Sequence, residues 1–84
     1  MPKKRIGKVT HYYTKIGVGV VKLEDELRVG DRISIEGTTT DFEQDVESME
    51  IQHEKVEVAK AGDEIGLKTK ERVREGDIVY KLEH

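Results

Sequence analysis

A seven-residue pattern used three times constrains the fold more than any other feature. The copies are Leu27-Arg28-Val29-Gly30-Asp31-Arg32-Ile33, Ala59-Lys60-Ala61-Gly62-Asp63-Glu64-Ile65 and Val73-Arg74-Glu75-Gly76-Asp77-Ile78-Val79. Each reads apolar, basic, any, Gly, Asp, any, Ile or Val. Gly reaches the positive φ that tight turns need, and Asp can accept hydrogen bonds from backbone amides just after it. The β-branched residue that closes each copy favours a strand. A turn that launches a strand, three times within 84 residues, predicts a closed or nearly closed β structure.

The remaining chain supplies the other strands. Ile6 to Tyr13 reads as a first strand ending in an aromatic pair. Lys15 to Leu23 reads as a second, with Ile16, Val18 and Val20 on one face and Gly17 and Gly19 between them. Ile33 to Glu36 alternates cleanly. Further on, Phe42 and Val46 share one parity while Met49 and Ile51 share the other, so the frame must slip near Glu47-Ser48. A β-bulge or sharp bend is expected there, of the sort that turns corners in small barrels. His53 continues the parity of Ile51, at the inner face or its rim. Val56 and Val58, Ile65 to Thr69, and Ile78 to Tyr80 complete the series. The spacing predicts an all-β chain: a small six- to seven-stranded antiparallel β-barrel.

Composition narrows the classes. Hydrophobic residues make up 35% and charged residues 39%, a mixture close to that of disordered chains, but the alternation argues for a folded domain. There is no Cys, so neither a disulfide nor a thiolate metal site can support the small core. No run approaches the ~20 apolar residues of a membrane span, and no apolar leader follows Lys3-Lys4-Arg5. A cytoplasmic, monomeric protein is expected. The expected layout is a flexible basic start over 1–4, one barrel domain over 5–81, and an expression-tag remnant, Leu82-Glu83-His84, over 82–84.

The chain lacks a recognisable catalytic constellation. Gly17-Val18-Gly19 would need a further glycine where Lys22 stands to make a dinucleotide loop. His11 and His53 are far apart and without metal-ligand spacing, and Ser34 and Ser48 have no base in the pattern. No catalytic residue, metal or cofactor is expected, and the chain is read as a non-enzyme. Charge is uneven instead. Lys3, Lys4, Arg5, Lys8 and Lys15 fall in the first fifteen residues with no acid among them, whereas 41–54 hold six acids and no Lys or Arg. Lys4, Arg5, Lys8 and Lys15 are candidates to hold phosphates, with His11, Tyr12 and Tyr13 to stack on unpaired bases. The acidic stretch is either a solvated strand face or a docking surface for a basic protein partner.

The residues also carry a family resemblance over about 5–81. Gly7-Lys8-Val9, Gly17-Val18-Gly19-Val20-Val21, Leu27 to Ile35, Val46 to Ile51, the Ala59-Lys60-Ala61-Gly62-Asp63 block with Ile65-Gly66-Leu67, and Val73 to Val79 resemble the second domain of elongation factor Tu and related translational GTPases. The pattern is similar as well to the C-terminal barrel of the collagenase-like peptidase family. The resemblance implies a six-stranded antiparallel barrel and contact with tRNA or rRNA. It does not imply GTP hydrolysis, since no phosphate-binding Gly-x-x-x-x-Gly-Lys-Ser/Thr loop is present. The leading expectation is therefore a non-enzymatic, translation-factor-like module that binds RNA in translation or RNA modification. The alternative is an accessory module that docks on a larger catalytic partner.

Overall fold

A computed structural model of the chain describes residues 3–83. Met1 and Pro2, in the expected flexible start, and His84, in the expected tag remnant, lie outside the described residues. Ten strands follow in chain order: β1 (Lys3–Tyr13), β2 (Val18–Leu23), β3 (Leu27–Arg28), β4 (Arg32–Glu36), β5 (Asp41–Asp45), β6 (Met49–Ile51), β7 (Glu54–Val56), β8 (Val58–Ala59), β9 (Glu64–Lys68) and β10 (Ile78–Leu82). Lys3 and Lys4 pair with Leu82 and Lys81 inside the sheet. No described helix is long and apolar enough to cross a membrane.

The all-β reading holds, but strand count and closure need correction. Eight strands form one antiparallel sheet in the order β5-β4-β10-β1-β2-β9-β6-β7, and β3 with β8 forms a separate two-stranded ribbon. Among the described residues β5 and β7 end the order, so the ladder is open where a six- to seven-stranded closed barrel was expected. The sheet nevertheless curls around one apolar cluster. Ile6, Val9, Val21, Leu23, Ile33 and Leu67 are all buried in it, along with inward residues of the other strands.

The frame slip near Glu47-Ser48 is present, though not as a bulge. Residues 46–48 belong to no strand. They carry the chain from β5, at one end of the order, to β6, beside the other end. Phe42, Gln44 and Val46 face inward before this corner and Met49 after it. The side chain of Gln44 spans the gap that the ladder leaves. Its amide nitrogen donates to the Lys68 carbonyl at 2.9 Å, and its amide oxygen accepts from the Lys70 N–H at 2.6 Å. One side-chain amide thus reproduces the reciprocal donor–acceptor pair of a strand ladder between β5 and the end of β9.

Bulges do occur, in β1. Its register shifts against β10 between Arg5 and Gly7 and against β2 between Val9 and His11. Each inserted residue changes which parity faces inward. Ile6 and Val9 are consequently buried and Tyr12 packs against the core, a spacing of three that regular alternation forbids.

The three Gly-Asp copies share one geometry. Gly30, Gly62 and Gly76 have φ of 97°, 93° and 94°. The following Asp N–H donates back to the carbonyl three residues upstream at 3.1, 3.0 and 3.1 Å, the pattern of a turn with Gly at its third position. The Asp carboxylate accepts from the amide of that same upstream residue, Arg28, Lys60 or Arg74, at 2.9 Å each time. This corrects the expected direction of the Asp hydrogen bond, which runs to a preceding amide rather than a following one. Each turn also grips a buried residue of another segment. The Gly N–H donates to the carbonyl of Val46, Leu23 or Val9, and that residue's own N–H returns to the Asp carbonyl.

Candidate functional site

Three cations of the basic first strand are engaged by carboxylates. Lys3 Nζ lies 2.6 Å from the Glu36 carboxylate, Lys4 pairs with Asp25, and Arg5 meets Glu24 with two nitrogens. The Lys3 and Lys4 ammonium groups are held above the ordinary lysine pKa, chiefly by their hydrogen bonds to Glu36 and Asp25. The same contacts hold the Glu36 and Asp25 carboxyls below the ordinary carboxylate range. Tyr12 turns toward the core, while His11 and Tyr13 meet edge to face on the outside at 4.4 Å between ring centroids. His11 Nδ1 also lies 3.4 Å from Glu75. An eleven-residue strand separates Lys4 from the Tyr13–Lys15 end by roughly 30 Å. Lys4, Arg5, Lys8, His11, Tyr12 and Tyr13 are strung along β1, and Lys15 lies in the turn that follows it.

A concave site does exist on the outer face of β2, β9 and β6. The groove encloses about 480 Å³. One wall is Val18 and Val20 of β2 with Tyr13 and Ile16 at the β1–β2 turn, and the floor is Gly66 of β9. Glu50 and Glu64 flank the glycine, the turn residues Gln52 and His53 form the far rim, and Lys68 stands at one end. Strand register makes the assembly: Gly66 pairs with Val20 on one side and Glu50 on the other, and Lys68 pairs with Val18. Tyr13 is 50% exposed and Ile16 62%, the two most exposed large hydrophobic residues described.

The tight β6–β7 connection shapes the rim. Ile51 pairs with Glu54, leaving only Gln52 and His53 in the turn, with φ of 51° and 68°. Both occupy the left-handed region that two-residue hairpin turns require and that non-glycine residues adopt at a cost. His53 is therefore exposed at a turn, not on the inner face. Among the described residues no cluster of three His, Cys, Asp or Glu could hold a metal ion.

The sequence reading placed Ile16, Val18 and Val20 on one face without identifying it as the outer one. The buried face of β2 belongs to Gly19, Val21 and Leu23, and a Cβ on Gly19 would stand 3.0 Å from Val73. Gly19 leaves no room for a larger side chain against Val73, and Val18 and Val20, of the opposite parity, face outward. The signal that could have pointed to the groove was that row together with Gly66 in the middle of a later strand.

The family-model scan finds no match. Sequence relatives do exist. The chain is 46% identical over 81 residues to an uncharacterized protease of Methanocaldococcus jannaschii, an alignment covering 95% of the chain and 20% of that protein. It is 36% identical over 83 residues to a collagenase of Porphyromonas gingivalis, covering 96% of the chain and 23% of the relative. The chain thus spans about a fifth of the length of the curated relatives it matches. Among solved structures, the C-terminal domain of a putative U32 peptidase of Geobacillus thermoleovorans superposes with a TM-score of 0.89 at 19% identity, covering 95% of this chain and 93% of that one. These findings overturn the leading expectation of an RNA-binding translation module. The relatives bear protease and collagenase names, so the peptidase side of the resemblance is supported and the elongation-factor side is not. By sequence the chain is homologous to a short stretch of these proteases, and its fold is that of the C-terminal β domain of a putative U32 peptidase.

Proposed function

We propose that the chain is an accessory β domain of a U32-type peptidase, which docks on the catalytic part of such a protein and does not itself break bonds. The observation that carries this reading is the alignment of nearly the whole chain, at 46% identity, with only a fifth of a protease. A segment of that size holds one small domain and leaves four-fifths of the relative for the chemistry. The paired state of Lys3, Lys4 and Arg5 agrees with it, because cations already bound to carboxylates are poor anchors for phosphates.

The test is reconstitution. The chain is mixed with the remainder of the Methanocaldococcus protease, expressed without its own matching stretch, and passed through a sizing column before and after nuclease treatment. A complex that survives nuclease supports docking. Failure of the chain to co-elute, or loss of the complex with the nucleic acid, removes the proposal.

A further inference from the structure

The glycines of this domain have structural explanations with one exception. Gly17, Gly30, Gly62 and Gly76 have positive φ. At Gly7, Gly19 and Gly37 a Cβ would stand 2.8, 3.0 and 1.9 Å from neighbouring atoms. Gly66 has neither constraint. Its φ is not positive, and a Cβ there would make ordinary contacts, 3.4 Å to Val18 and 3.9 Å to the Glu50 carbonyl. Glycine inside a strand is entropically unfavourable and leaves the sheet face unpacked, and such a position often admits a ligand or another backbone. Gly66 forms the floor of the groove between Val18, Val20 and the β6–β7 turn.

The carboxylates beside it supply a second observation. Glu24, Asp25, Glu26, Glu36, Glu43 and Asp45 each have a cationic partner within 4.0 Å. Glu50, paired with Gly66 across the ladder, and Glu64, two residues before it, are exposed and, like Asp41, Glu47, Glu54 and Glu57, lie in none of these ion pairs among the described residues, although Lys55 and Lys22 stand opposite them in register. A trough walled by Val18, Val20 and Ile16 with two exposed carboxylates flanking its glycine floor is complementary to a segment that presents an aliphatic or aromatic side chain beside Lys or Arg. Lys68, at one end, would set the direction of that segment by repelling a cation there.

We propose that the groove over Gly66 receives an apolar, basic segment of the catalytic part of a larger peptidase, its apolar side chain seated between Val18, Val20 and Ile16 and its cations on Glu50 and Glu64. This deepens the docking reading and rests on it. The length of the relatives beyond the matched stretch provides the chain from which such a segment would come.

The groove can be tested separately from docking. Isotope-labelled protein is titrated with the peptides acetyl-Arg-Leu-Arg-Phe-Arg-amide and acetyl-Glu-Leu-Glu-Phe-Glu-amide, with amide shifts as the readout. The basic peptide is expected to move Val18, Val20, Glu50 and Gly66, and the acidic one to leave them in place. Gly66→Leu, which fills the floor, should weaken binding tenfold or more. So should Ile16→Asp, whose exposed position leaves the core untouched and which serves should the Leu variant misfold. Shifts that fall elsewhere, that survive both variants, or that fail to appear at millimolar peptide overturn the groove. In the sizing assay, a protease remainder that binds wild type and both variants equally keeps the docking reading and discards the groove. A remainder that binds none of them discards the docking reading, and with it this occupant.

Discussion

In all three Gly-Asp turns a carboxylate bonds the amide that opens the turn, while the glycine and aspartate together bracket one buried residue of another segment. The side chain that most depends on its setting is Asp77, only 4% exposed and packed under Gly37. Removing its carboxylate leaves the Arg74 amide without this acceptor. Asp77→Ala is therefore expected to cost about 1–3 kcal/mol in urea denaturation. Asp31→Ala and Asp63→Ala, at half-buried positions, should cost less, and Asp77→Asn should recover part of the loss because its amide oxygen still accepts. Gly37→Ala is expected to destabilise as well, since its Cβ would lie 1.9 Å from Asp77 Oδ1. Equal losses at all three aspartates would remove the role given to burial.

At the scale of elements, β5 is tied to the end of β9 by a polar side chain in the parity of Phe42 and Val46. Gln44 lies in the acidic stretch, yet it is buried and bonds both Lys68 and Lys70. Gln44→Leu keeps the volume but leaves that carbonyl and amide unpaired, for an expected loss of about 1–3 kcal/mol. Faster hydrogen exchange at the Lys70 amide, relative to amides of β1 and β2, would locate the effect; a uniform change across the sheet would argue against local closure by Gln44. The turns were legible in the sequence because Gly-Asp is a local signal, and the frame slip was legible because parity is local too. The two bulges of β1 were not, since neither Ile6 nor Thr10 differs in kind from a regular strand residue. Their inserted residues show only in the register against the partner strands, β10 for Ile6 and β2 for Thr10.

Across the whole molecule, surface ion pairs join the first strand to the loop after β2 and to β4. Asp25 and Glu36 have carboxyls held below their ordinary range by Lys4 and Lys3. Groups with depressed folded-state pKa stabilise the fold above their unfolded values and lose that contribution as pH falls through the folded ones. Stability should therefore decline on acidification below about pH 4.5, and a Lys3→Met, Lys4→Met variant should show a shallower decline. Because these pairs are exposed, the difference should be small and should shrink in high salt. A variant whose acid profile matches wild type would remove the ion pairs as its cause. The pairing bears on function as well, since it takes up cations that the sequence alone leaves free for phosphates.

By itself the sequence determined the all-β character and the three strand-launching turns: alternation, β-branched residues and glycine–aspartate signals are local, and local sterics are enough to impose them. It also determined a domain with a small core and an uneven charge, because both follow from composition. Only the tertiary structure decided which strands are neighbours, that the ladder ends at β5 and β7, and that Gln44 bridges the gap. It alone turned the Val18–Val20 row outward beside Gly66 and set the basic residues against carboxylates. Those outcomes depend on contacts between segments distant in the chain, where register and packing select among arrangements that the same local preferences allow.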